Sequence, residues 1–472
     1  MKNRLLRTAS LAAVFLMTVP ALAWAEEAAE AVAGAAPVDT GDTAWVLAST
    51  ALVMLMTLPG LALFYGGLSR KKNVLSTIMY SFFAMVIISI QWALYGYSLS
   101  FGPDLGHLIG SLAWLGLNNV GAAPNPDYSA TIPHQVFMIF QMMFAVITPA
   151  LISGAFAERM RFPAFLAFLI LWATFVYDPV AHWVWGVGGW LRNLGALDFA
   201  GGTVVHILSG VSGLVACLVL GRRKGYGSEP MIPHNLPFVV VGAALLWFGW
   251  FGFNAGSALG ANGLAASAFV VTHLATAAAA LSWVAAEWLH HGKPTTLGAA
   301  SGAVAGLVAV TPASGFVEPM PALIIGLVAG ALCYLAVGVL KARLRYDDAL
   351  DAFGVHGIGG TWGAIATGLF ATTAVNPAGA DGLFYGNPGL LANQLIAVAA
   401  SWAAALAGTF IILKIVGAFT RLRATDEEQD TGLDLTQHGE DAYTDFVLSA
   451  SPFSSAGAMT AKAPAGEARP AL

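Results

Sequence analysis

The chain has 472 residues, 57% of them hydrophobic and only 10% charged, with a formal net charge of −5. So little charge excludes an ordinary soluble domain of this length, and the lack of a basic stripe excludes a nucleic-acid partner. Apolar runs of about 18 residues or more recur along it and predict an all-α, polytopic membrane protein.

Residues 1–25 read as a signal peptide: a basic start with Lys2, Arg4 and Arg7, an apolar run, and small Ala23 and Ala25 before Glu26 and Glu27. Its removal would leave residues 26–43 as a periplasmic segment outside a bacterial inner membrane. Eleven helices follow, near 44–66, 73–101, 131–155, 162–185, 200–221, 233–253, 262–288, 295–311, 320–341, 353–373 and 391–418, so a membrane domain occupies 44–419. Basic clusters (Arg70-Lys71-Lys72, Arg159/Arg161, Arg222-Arg223-Lys224, Lys293, Lys341/Arg343/Arg345, Arg421/Arg423) fall in every second loop. The positive-inside rule then places the amino terminus outside and the carboxyl terminus in the cytoplasm. An odd count lets five helices be followed by five inverted ones, plus a final long helix, the repeat logic of many transporters. The tail, 420–472, is polar and acidic, with Leu433, Leu435 and Tyr443 available for docking; its distal part reads as disordered.

Two of the ten histidines, His206 and His356, lie inside apolar, uncharged stretches, one in each half of the chain. Ionisable groups at membrane depth are costly, so both are functional-site candidates. Asp198 and Asp351 precede them; each reads as a helix N-cap, Asp198 also as a possible cation-recruiting acid. The remaining histidines read as ordinary, with His182 and His234 in local bonds near helix ends and His273 bonded to a neighbouring helix. Cys217 and Cys333 have neither metal-site spacing nor the pattern of a disulfide framework.

Asp198-Phe-Ala-Gly-Gly-Thr-Val-Val-His206, Gly154-Ala-Phe-Ala-Glu-Arg159, Pro233-His-Asn-Leu-Pro237, Trp250-Phe-Gly-Phe-Asn-Ala-Gly-Ser257 and Phe353-Gly-Val-His-Gly357 together resemble the ammonium transporter family (Amt, methylammonium permease and Rhesus proteins), bacterial type. The resemblance runs over essentially the whole chain after residue 25 and implies a transporter, not an enzyme, with no cofactor and no metal. It implies an outer ammonium site of Phe144, Trp185 and Ser257, a gate of Phe144 and Phe253, and vestibule or pore lining by Phe140, Tyr177, Trp250 and Thr311. His206 and His356 would be the pore pair, one narrow pore per subunit of a homotrimer, and a PII-type signalling protein would be a partner at the cytoplasmic face. Two departures stand out: the loop from Trp185 to Asp198 is a residue longer than the family pattern, and Asp178 stands where an apolar residue is expected.

The residue types suit the substrate. Aromatic faces attract a cation, and the Ser257 hydroxyl can accept an N–H bond. Such a site would also hold potassium, so selection must follow from what potassium lacks, a removable proton. An unpaired ion in a low-dielectric tube costs on the order of tens of kcal/mol by Born estimates, whereas neutral ammonia avoids most of this. Facing imidazoles that share one hydrogen offer ammonia an acceptor and a donor. Two other functions stay open on residues alone: a transporter-like sensor, and a membrane enzyme or electron carrier using both histidines as ligands. The second lacks further ligands and their supporting carboxylates.

Overall fold

Backbone groups away from water must bond within their own segment, and each predicted span does so as a helix. In a computed structural model describing residues 38–443, eleven spanning helices form one bundle. They are α1 (Thr40–Leu68), α2 (Lys71–Phe101), α3 (His134–Phe156), α4 (Phe162–Leu194, broken after Trp185), α5 (Gly202–Leu220), α6 (Leu236–Gly256), α7 (Gly263–His291), α8 (Thr296–Val310), α9 (Pro319–Leu344), α10 (353–370) and α11 (Pro388–Phe419). Among the described residues, nine are long and apolar enough to cross a membrane; α8 is shorter and α10 is diluted by glycine. The signal-peptide reading and the distal tail lie outside the described residues.

Local chemistry explains where the boundaries moved. The α1 helix starts at Thr40 because the Asp39 carboxylate accepts the Asp42 N–H at 2.8 Å, an N-cap. The α4 helix runs through Asp178, which is fully buried and accepts from Gln91 Nε2 at 2.7 Å and Ser100 Oγ at 3.3 Å. These neutral donors replace the solvent the carboxylate would otherwise need. Between α2 and α3 the chain makes two small antiparallel hairpins, pairing Asp104 with Gly110 and Pro124 with Pro133, the only strands among the described residues.

The basic loops converge at one end of the bundle. Glu158, after α3, accepts from the Arg70 backbone at 2.7 Å and from its Nε at 2.6 Å, and lies 3.6 Å from Arg223 after α5. Arg223 in turn holds Asp347, after α9, at 2.7 Å. Burial pushes the Asp347 carboxyl up, but the Arg223 hydrogen bond and the Arg159 charge outweigh it and hold it below the usual carboxylate range. The tail docks on this same end. Asp434 accepts the Leu75 and Ser76 N–H groups at 2.9 and 2.7 Å, buried Leu433 donates to Asn73, and Tyr443 bonds His234 at 2.9 Å. Leu435 lies beside it in a hollow shared with Arg70 and Lys72.

The two histidine helices begin at opposite ends and cross. Asp198 caps α5 through the Gly201, Gly202 and Thr203 N–H groups, each at 2.7 Å. At α10 the equivalent is Asp348, which accepts from Ala352 at 3.1 Å and Phe353 at 2.8 Å. This corrects the assignment of Asp351, which has φ +63° and pairs with Lys341 instead. Asp198 to His206 and Asp348 to His356 are both steps of eight residues, and the first turn of each helix is widened to π geometry at 202–207 and 353–357. Similar wide turns occur in α4 and α9 at 173–177 and 336–340, which the inverted order also makes equivalent. At the crossing, a Cβ on Gly210 would run into the Gly357 backbone, and one on Gly360 would meet the His206 Cβ. Only glycine permits so close an approach.

Candidate functional site

The close crossing brings the imidazoles together. His206 Nδ1 lies 3.3 Å from His356 Nδ1, with ring centroids 5.3 Å apart and planes at 21°. Both residues are buried, at 1% and 4% exposure, and His206 Nε2 has no partner among the described residues. Trp250 stacks on His206 at 5.4 Å, and its indole N–H donates to Thr311 Oγ1 at 2.8 Å, which fixes the ring plane.

Above the pair is an aromatic stack. Phe144 and Phe253 lie face to face, centroids 4.3 Å apart and planes at 29°, both almost wholly buried. Phe140 packs edge-on to Phe144 at 5.0 Å. Trp185 meets Phe144 edge-on at 5.9 Å, and its N–H donates to the Asp198 carbonyl at 2.8 Å. Ser257 Oγ donates to the Phe253 carbonyl at 2.8 Å, which leaves its lone pairs free to accept.

Three cavities lie along this line. The first, on the side the charge pattern assigns to the outside, is lined by Phe144, Trp185 and Ser257 together with Phe101, Asp127, Tyr128, Phe137, Gln141, Arg192, Phe199 and Leu259. The second lies between Phe253 and the histidines and is walled by Met56, Leu61, Phe64, Ile147, Leu151, Val205, Leu246, Trp250 and Val304. No acid or base other than the imidazoles faces it. The third runs from His356 to the inner end past Asp351, Glu287, His291 and Tyr334. The space open to the centre of a water-sized molecule is about 190, 10 and 200 Å³ in turn. The middle value suffices for about one small molecule.

Of the residues singled out in the sequence, Phe144, Trp185, Ser257, Phe253, Trp250, His206 and His356 line these cavities. Phe140 packs on Phe144 and Thr311 braces Trp250, both behind that lining, while Tyr177 packs on Trp92 at 6.2 Å. Asp198 lines none of them, its carboxylate being engaged by backbone N–H groups. His182 bonds the Ser100 carbonyl at 3.0 Å and Asp104 at 2.9 Å, while His273 packs on Trp247 of α6 with ring centroids 5.3 Å apart and has no hydrogen bond from its ring among the described residues. Both cysteines are free and buried. Sequence reasoning passed over Arg192, Asp127 and Tyr128 at the first cavity; a charge beside the overlong loop was the available signal. Among the described residues, no group of His, Cys, Asp or Glu is arranged to hold a metal.

Comparison with known proteins agrees in extent and kind. The model of the Ammonium Transporter Family matches residues 44–443. An ammonium transporter of Bacillus subtilis is 60% identical over 408 residues, covering 86% of this chain and 99% of that protein. Ammonium transporter Amt1 of Archaeoglobus fulgidus is 49% identical over 404 residues, covering 86% and 99%. Among solved structures, Mep2 of Saccharomyces cerevisiae superposes with a TM-score of 0.78 at 40% identity, over 83% of this chain and 88% of that one. A sensor Amt protein gives 0.77 at 29% identity, over 84% and 98%. The chain belongs to the ammonium transporter family.

Proposed function

We propose that this transporter gathers ammonium at Phe144, Trp185 and Ser257, strips a proton at the Phe144–Phe253 stack and conducts ammonia past His206 and His356. The observation that carries this reading is the direct contact of two imidazoles at the floor of a chamber with no other ionisable group. An ammonium ion there would be unpaired and desolvated, at a cost of several kcal/mol or more. Ammonia donates and accepts hydrogen bonds without that cost. A linked imidazole pair supplies both complements, one ring nitrogen bearing hydrogen and the other bare. The stacked phenyl rings separate the two regimes: cation–π attraction above, exclusion of water below.

A signal peptide at 1–25 is removed, residues 44–419 span a bacterial inner membrane as a homotrimer, and the tail from 420 is the cytoplasmic regulatory segment where a PII-type protein docks. The likeness to a sensor Amt protein gives a second reading, with signalling as the main output. Uptake in a host lacking its own ammonium transporters separates the two, since a pure sensor restores none.

The mechanism is tested by His206→Leu and His356→Leu in proteoliposomes, with uptake of isotopically labelled ammonium and of potassium followed side by side. Each variant is expected to lose ammonium flux or its discrimination against potassium while eluting as the intact oligomer. Unchanged flux and unchanged exclusion in both variants would end the shared-imidazole mechanism.

A further inference from the structure

Arg192 carries a positive charge on the lip of the cavity to which cation gathering has just been assigned. It sits on the short turn Trp190–Leu194, exposed, and its Nη1 donates to the Trp185 carbonyl at 2.6 Å. That single bond holds it beside the residue whose indole lines the cavity. No carboxylate pairs with Arg192 among the described residues. Asp127, the acid lining the same cavity, comes from a different segment, the loop between α2 and α3, with Tyr128 beside it.

The placement needs a physical account, because a guanidinium cannot lose its charge and works against any cation held nearby. It acts equally on ammonium and on potassium. It does not act on ammonia, which carries no net charge. A site holding its cation tightly would load readily but release it slowly to the gate; a positive lip weakens the hold while bonding only the Trp185 backbone carbonyl. Asp127 brings the opposite charge to the same cavity. We propose that Arg192 and Asp127 are an opposed pair of charges that sets the cation affinity of the outer vestibule, Arg192 lowering it and Asp127 raising it. This rests on the assignment of Phe144, Trp185 and Ser257 as the gathering site.

A unit charge several ångströms away across solvent-exposed space changes cation affinity by a factor of about two to five. The experiment is concentration-dependent uptake of labelled ammonium into proteoliposomes at low ionic strength. Arg192→Gln is expected to lower KM two- to fivefold, on the order set by that charge effect. Arg192→Glu lowers it further, Arg192→Lys leaves it near the unmodified value, and Asp127→Asn raises it. Raising ionic strength with a bulky organic salt shrinks the Arg192→Gln difference, which a purely structural role would not do. If the Lys, Gln and Glu variants share one KM, or if Lys and Gln shift it alike, charge is not the determinant and the proposal fails. A parallel Trp185→Leu variant tests the gathering site itself: an unchanged KM there sinks that assignment, whatever the Arg192 series shows.

Discussion

Replacing Asp198 separates a structural acid from a recruiting one. Its Oδ1 accepts the Gly201 and Gly202 N–H groups at 2.7 Å; its Oδ2 accepts those of Thr203 at 2.7 Å and Val204 at 3.3 Å, and the Thr203 hydroxyl. Asp198→Ala leaves these donors unpaired at the start of a helix whose first turn is buried throughout. Loss of an N-cap alone costs about 0.5–2 kcal/mol, and each bond to a charged acceptor is worth about 1.5–3 kcal/mol. These contributions overlap, and removing the buried charge returns its desolvation, so the expected net loss is about 3 kcal/mol. Asp198→Asn keeps one acceptor oxygen and turns an NH2 toward the remaining N–H groups, so it should lose about half as much. The assay is thermal unfolding of purified protein in detergent, paired with uptake. Flux should fall together with melting temperature, because the cap sets the register of His206 eight residues on. An Asp198→Ala protein that melts like the parent but shows a raised KM would refute the capping argument and restore the recruiting role.

Two further outcomes follow from the inner end. Glu158→Gln removes the carboxylate that pairs with half-buried Arg70, while Arg223 keeps Asp347, and should destabilise by about 1.5–3 kcal/mol, whereas Lys224→Ala, which removes an exposed pair with Asp430, should leave the melting curve in place. Burial pushes the Asp348 carboxyl up to about 6, against the pull of Lys341 and with help from Asp351. A raised carboxyl binds its proton in the folded state first, so stability from this group should increase as pH falls from about 6 toward the unfolded value near 4. Melting measured across that window should show the slope, and Asp348→Asn should flatten it; an identical slope in the variant would assign the pH dependence elsewhere.

Much of this protein was legible along the chain. Apolar runs located the helices, nine of them long and apolar enough to cross a bilayer among the described residues, because lipid leaves the backbone no other partners. Alternating basic loops fixed which ends lie together, and the basic loops joined through Glu158 and Asp347 do meet. The motif around Asp198 and His206 resembled a known family for the same local reasons that make it fold: a cap, a glycine turn, then an apolar helix. What the chain could not disclose was distance. The cap of α10 was misplaced by three residues, at Asp351 rather than Asp348, since either acid precedes the helix and only backbone direction distinguishes them. Contact between His206 and His356 depends on Gly210 meeting Gly357, a crossing of helices 150 residues apart along the sequence. Likewise Phe140 and Thr311 carry the right chemistry for a lining, yet packing sets them against the lining residues Phe144 and Trp250. Hydrophobic pattern specifies that a residue is buried; only the assembled bundle decides whether it faces a neighbour or the passage.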